Sequence, residues 1–164
     1  MVQSIALHPA SPSSWYYKER ESGGMPLTYM TYCFINPVRW ILGSVVEVSA
    51  LANRLLHIEE GFVEQEVCSA TLRFQDGSLY SAVAGYIAPA GFPSRQVLKI
   101  YRDDKVEELD FSSQTSSLLR QAETFVKALD GKAECLNLPS DAKLEVAISE
   151  AIVKAAKECM VVKL

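Results

Sequence analysis

The feature that most constrains this chain is a hairpin written with period two. Cys68, Ala70, Leu72 and Phe74 alternate with Ser69, Thr71 and Arg73. Successive strand residues point to opposite faces, so the pattern sets one apolar face against a core and one polar face outward. Asp76-Gly77 follows, a dipeptide that tolerates the positive φ of a tight hairpin turn, and residues 78–87 return as the partner strand. Residues 45–51 are rich in β-branched side chains and read as another strand. After the breakers Pro89, Gly91 and Pro93, residues 97–101 and 106–111 form two more around the turn Asp103-Asp104-Lys105. Connections this short favour antiparallel neighbours, so these five strands are expected in one antiparallel sheet. Residues 2–7 are β-prone and supply a further candidate strand.

On either side of this block the period changes. In residues 25–42, Leu27, Met30, Phe34, Val38, Ile41 and Leu42 recur at helical spacing. Pro26 suits the first helical turn, and Gly43 is a natural stop. Pro37 lies inside and removes the hydrogen bond to the Cys33 carbonyl, so a bend is expected there. Residues 9–24, rich in Pro, Ser and Gly, form a long loop of the kind that often carries function. Residues 113–130 make an amphipathic helix with Leu118, Ala122, Phe125, Val126 and Leu129 on one face. Residues 140–158 make another, with Ser140 as the expected N-cap and Leu144, Ile148, Ala151, Ile152, Ala155 and Cys159 as its buried stripe. Residues 160–164 are short and apolar and make a candidate last strand.

The sum is an α+β fold in a single domain over residues 1–164: one antiparallel or mixed sheet with helices on one face. The helix-free face is expected to carry Thr71, Tyr80, Val83 and Val97, which makes it a candidate homodimer interface rather than bare surface. With 49% hydrophobic residues the chain has material for a core. A net charge of −4, with no long basic run, argues against nucleic acid or an anionic membrane surface as partner. No stretch approaches the ~18 unbroken apolar residues of a membrane span. Cys33, Cys68, Cys135 and Cys159 form no C-x-x-C pair, and His8 and His57 stand far apart, so no metal site is expected. The thiols read as reduced and the compartment as cytoplasmic.

Several engines are missing from the sequence. There is no G-x-G-x-x-G after a strand, no Walker lysine motif and no G-x-S-x-G elbow. Gly23-Gly24 precedes a helix but lacks the third glycine. His57, before Ile58-Glu59-Glu60, reads as a surface loop residue. The carboxylate pairs Asp103-Asp104 and Glu107-Glu108 flank a turn and read as a solvated edge.

The order of these features resembles the C-terminal domain of the Gfo/Idh/MocA oxidoreductases. Trp15, then Ser22-Gly23-Gly24, then the helix 25–42 closing in Trp40-Ile41-Leu42-Gly43, follows the family's pattern without a gap. Val46-Val48, the strand pair around Asp76-Gly77, the run 125–131 and the segments 140–156 and 161–164 continue it in order. The resemblance implies a substrate-binding and dimerisation domain of nicotinamide-dependent sugar or polyol dehydrogenases. It also brings departures. The family's dinucleotide-binding domain, with its cofactor glycines and catalytic lysine, has no counterpart in these residues. No catalytic residue is therefore assigned, and NAD or NADP is expected only if another domain supplies its site. The family's Asp, His and Asp on the helix fall on Tyr29, Cys33 and Asn36, and its Arg after the Trp falls on Tyr16.

Tyr29, Cys33, Asn36 and Trp40 nevertheless share one helical face by their spacing. Cys33 accepts a hydroxyl proton poorly near neutral pH, and Tyr29 can donate a hydrogen bond but is no base there. The expected substrate contacts are Trp15, Tyr16, Gly23, Gly24, Tyr29, Cys33, Asn36 and Trp40. The competing reading of Cys33 and Tyr29 is that they are core residues. Three functions stay open: a non-catalytic substrate-binding domain, a subunit completed by a separate nucleotide-binding chain, and an unrelated small-ligand-binding domain. The last would be favoured if the helix failed to pack on the sheet.

Overall fold

The structure, a computed structural model, describes residues 1–9, 15, 18–22, 26–54, 60–61, 66–88, 91–112, 117–135 and 137–164; the side chains of residues 9, 26–33, 86–88 and 117 lie outside the description. The strands are β1 (Val2–Pro9), β2 (Val45–Asn53), β3 (Val67–Phe74), β4 (Leu79–Ala88), β5 (Arg95–Tyr101), β6 (Val106–Asp110) and β7 (Val162–Lys163). The helices are α1 (Glu19–Ser22), α2 (Pro26–Leu42), α3 (Ser117–Leu129) and α4 (Pro139–Glu158). All seven strands form a single mixed sheet in the order β6-β5-β1-β4-β3-β2-β7.

The alternation in β3 settles which face is which. Cys68, Ala70, Leu72 and Phe74 are buried, while Ser69 and Arg73 are exposed. The expected turn joins β3 to β4, with Gly77 at φ +87° and the Asp76 carboxylate accepting the Ser78 N–H at 2.9 Å. One expectation needs correction. β4 and β5 are not neighbours; β1 lies between them, parallel to β4 and antiparallel to β5. The linker at 89–94 has only to cross two strand spacings, about 10 Å. Its extended reach is about 20 Å. A short connection therefore permits a step over one strand, and the N-terminal strand fills the slot.

The helix-bearing face is paved with small residues. Ala50, Ala70 and Ala82 lie in register across β2, β3 and β4, and Cys68, Ala84 and Ala6 make a second row across β3, β4 and β1. Short side chains let a helix lie close over them. Phe34, Ile35 and Val38 of α2 and Ile148, Ala151, Ile152 and Ala155 of α4 complete the core there. α2 runs through Pro37 to Leu42, and Gly43 ends it at φ +90° with its N–H on the Arg39 carbonyl at 2.7 Å.

Four further features differ from what the sequence implies. Tyr80 faces the helices, not the open side: it pairs with Leu72, shares that residue's face, and meets the Ser4 hydroxyl at 2.6 Å in the core. The N-cap of α4 lies two residues before Ser140. Leu138 is the N-cap, Pro139 opens the helix, and Asp141 accepts the Leu138 N–H at 3.2 Å. Leu144 and Cys159 are exposed, so the buried stripe of α4 is narrower than its periodicity implied. α3 departs further: Leu118, Phe125, Val126 and Leu129 are all more than half exposed, so its apolar face does not pack on the sheet. No helix among the described residues is long and apolar enough to cross a membrane.

Two substitutions check this packing. Ala84→Leu places extra volume under the helices at a fully buried position and should destabilise by about 1–3 kcal/mol in urea unfolding. Cys159 caps α4 in the left-handed region at φ 51°, a conformation that is costly for any side chain. Cys159→Gly should therefore raise stability by about 0.5–1 kcal/mol, because relief of that strain outweighs glycine's extra unfolded-state entropy.

Candidate functional site

α2 carries the candidate face, and its two ends differ. Tyr29 and Cys33 lie in the helix, but their side chains are outside the described set, as are Tyr16, Gly23 and Gly24 altogether. Trp15 stands half-exposed before α1, its carbonyl accepting the Lys18 N–H at 3.1 Å. Asn36 and Trp40 are described in full, and the structure separates them.

Asn36 is 3% exposed and turned inward. Its Nδ2 donates to Asn137 Oδ1 at 2.9 Å, and its Oδ1 accepts from Arg39 Nη1 at 2.7 Å. Arg39 continues to α4. Its Nη1 reaches the Asp141 carbonyl at 3.5 Å, and its Nη2 lies 3.7 Å from Asp141 Oδ1. The guanidinium is largely buried, so the pair is worth more than an exposed ion pair. Loss of one partner would leave the other desolvated and unpaired. One turn further along α4, burial pushes the Glu145 carboxyl up; Arg39 opposes that shift. This chain of groups bolts the end of α2 to the start of α4. The sequence carried one hint, Asp141 in the first turn of a helix; the partners themselves are distant in the chain.

Trp40 points the other way and is 54% exposed. With Pro37 it forms one wall of an open groove of about 880 Å³; Leu118, Ala122 and Phe125 of α3 form the other, and Cys135 and Asn137 also line it. Trp15 is not among the described walls. At the far end of β1, His8 places Nδ1 3.0 Å from the Ser94 hydroxyl and Nε2 3.1 Å from the Gln96 amide nitrogen, and burial lowers its pKa. An amide nitrogen only donates, so Nε2 is the acceptor and the proton sits on Nδ1. Cys68 is pushed up to about 12 by burial and is an inert core thiol. Glu107 and Glu108 pair with Lys105 and Lys99 at the solvated edge expected of them.

The described glycines do not form a cradle for a dinucleotide. Gly43, Gly61, Gly77, Gly91 and Gly131 each take a positive φ, but they lie at separate turns. Gly43 lies between a helix and the strand after it, the reverse of the strand–glycine–helix order that binds a pyrophosphate.

The fold defines an α+β domain with two distinct surfaces, a helix side and an open sheet side. The family model for the GFO/IDH/MocA C-terminal domain matches residues 1–104, and the chain belongs to that family. No curated protein matches its sequence. Solved structures share the fold. A Thermotoga maritima protein classed as an oxidoreductase has a TM-score of 0.83 at 18% identity, over 99% of this chain and 54% of its own. The myo-inositol dehydrogenase of Corynebacterium glutamicum has a TM-score of 0.75 at 17% identity, over 99% and 55%. The WlbA dehydrogenase of Bordetella pertussis, solved with NADH and UDP-GlcNAcA, has a TM-score of 0.72 at 16% identity, over 100% and 55%. The chain thus spans about half the length of these structures.

Replacing Arg39 by Met should cost about 2 kcal/mol in denaturant unfolding, since the Asn36 amide and Asp141 lose a buried charged donor. Glu145 gives a pH test. Its folded pKa is raised, so the folded state holds that proton more tightly than the unfolded one. The contribution is present below about pH 4.5 and lost as pH rises through the folded pKa. Glu145→Gln should therefore gain stability relative to the parent as pH rises from 4.5 toward neutrality, read from paired thermal melts.

Proposed function

We propose that this chain is the substrate-binding and self-associating half of a nicotinamide-dependent dehydrogenase acting on a sugar or polyol, and that it is not catalytic alone. The observation that carries this is the lopsided match: essentially all of this chain superposes on about half of each of these oxidoreductase and dehydrogenase structures. A nucleotide is then held by another domain, on the same polypeptide or a separate one.

In this reading α2 presents the ligand face. Tyr29 donates a hydrogen bond to a ligand hydroxyl, and Trp40 offers an aromatic surface. Trp15, Tyr16, Gly23, Gly24 and Cys33 are the further ligand contacts of this reading, with no base role for Cys33. Asn36 supports the site from behind, since both ends of its amide are engaged by protein. The reading of an unrelated ligand-binding domain loses its ground, because α2 does pack on the sheet through Phe34, Ile35 and Val38. The open sheet face supplies the homodimer contact. Ile5, Val83 and Val97 lie side by side there, flanked by the polar row Thr71, Ser81, Gln3 and Lys99. The described cysteines are unpaired, which suits a reducing cytoplasm.

Titration of the purified chain with NADPH, followed by nucleotide fluorescence, should show no binding at micromolar concentrations; micromolar affinity would overturn the assignment. Saturation-transfer NMR with myo-inositol should show contact that weakens in Tyr29→Phe. Sedimentation velocity should show a dimer that Ile5→Lys converts to monomer.

A further inference from the structure

We propose that Arg39 changes partners on α4: it sits by Asp141 while Glu145 is protonated and turns to Glu145 once that carboxyl ionises, which makes the contact between α2 and α4 pH-sensitive. This switch belongs to the contact itself and is independent of what the domain binds. The guanidinium is firmly anchored at one corner only, where Nη1 donates to Asn36 Oδ1 at 2.7 Å. Its contacts with Asp141 are loose. Nη1 is 3.5 Å from the carbonyl, and Nη2 is 3.7 Å from Oδ1, beyond hydrogen-bond length. Among the described residues no acceptor is bonded to Nη2 or to Nε. The Arg39 side chain is only 12% exposed, and a buried donor without an acceptor is costly.

Glu145 is the group that can fill those donors. It follows Asp141 by four residues, so the two carboxylates share one face of α4, with Cβ atoms about 6 Å apart. That span is within the sweep of an arginine side chain pivoting on Asn36. Glu145 is half-buried and has no ion-pair partner among the described residues. The charges that act on it are Arg39 of α2 and Asp141 of α4, together with the backbone N–H of Asn36. β2 and β7 also pack on α4, and among the described residues they present the apolar Val48, Ala50 and Val162 there. The segment before α4 contributes Asn137, which carries no charge. Two carboxylates thus face one guanidinium. With Glu145 neutral the charges balance, and Arg39 stays by Asp141. With both ionised, the carboxylates compete for it. Asp141 has other support: its Oδ2 accepts the Leu138 N–H at 3.2 Å, and it lies in the first turn of α4, at the positive end of the helix dipole. Glu145, one turn on, gains less from that dipole. Burial raises its pKa, which brings the exchange above the ordinary carboxylate range.

An NMR titration of the full chain, with labelled carboxyl carbons and arginine side-chain nitrogens, tests this. The Arg39 Nε–H signal should move with the same midpoint as the Glu145 carboxyl. Overhauser contacts of the guanidinium should pass from the Asp141 methylene to the Glu145 methylenes as pH rises through that midpoint. The side-chain amides of Asn36 and Asn137 should hold their positions, because the pivot stays in place. Glu145→Gln, which imitates the neutral carboxyl, should abolish the Arg39 movement at that midpoint and keep the Asp141 contacts on both sides of it. Arg39→Met should make Glu145 about a tenfold weaker acid, since its ionised form loses a nearby cation. Asp141→Asn should make it a stronger one. An Arg39 signal that stays fixed while Glu145 titrates, or that still moves at that pH in Glu145→Gln, would overturn the switch. So would a Glu145 midpoint indifferent to Arg39→Met.

Discussion

The whole arrangement depends on how closely α2 can lie on the sheet. Rows of alanine, with Cys68, run across four neighbouring strands on the helix side. Branched side chains there would lift the helix and open the core. With short ones, Phe34, Ile35 and Val38 reach down between the rows, and dense packing follows. The small residues thus set the height of α2, and the height of α2 sets where its outward-facing side chains stand.

Position along and around the helix axis comes from a different kind of interaction. Arg39 joins the Asn36 amide to Asp141, and Asn137 closes the other end of that amide. Directional, buried hydrogen bonds resist rotation of α2 in a way that apolar packing does not. One face of the helix is therefore committed to structure, and Trp40 is left facing the groove. A domain built this way offers a preset wall.

Much of this was legible locally. Pro26 and Gly43 bracket α2, Asp76-Gly77 turns β3 into β4, and the alternation of β3 names the core face. Each signal lies within a few residues of the structure it determines. The resemblance to the Gfo/Idh/MocA domain drew on the same ordered local signals, and the family match agrees with it. What the sequence withheld was non-local. Nothing near residues 2–9 says that the strand will slide between β4 and β5. Tyr80 belongs to the helix face through its pairing with Leu72, a parity that its residue type does not reveal. The bonds from Asn36 to Asn137 and from Arg39 to Asp141 join segments about a hundred residues apart. The amphipathic pattern of α3 was correct, but periodicity reports that a face is apolar and not what covers it.

The central claim is that α2 is fixed to the sheet as part of one cooperative core, and native-state hydrogen exchange tests it most directly. The amides of Ile35 and Val38 should exchange only through global unfolding, with the same opening free energy and denaturant dependence as those of Ala82 and Ala84 in β4. Exchange of the α2 amides at a distinctly lower opening free energy than the β4 amides would mean that the helix moves independently of the sheet, and the account of a preset wall would fail.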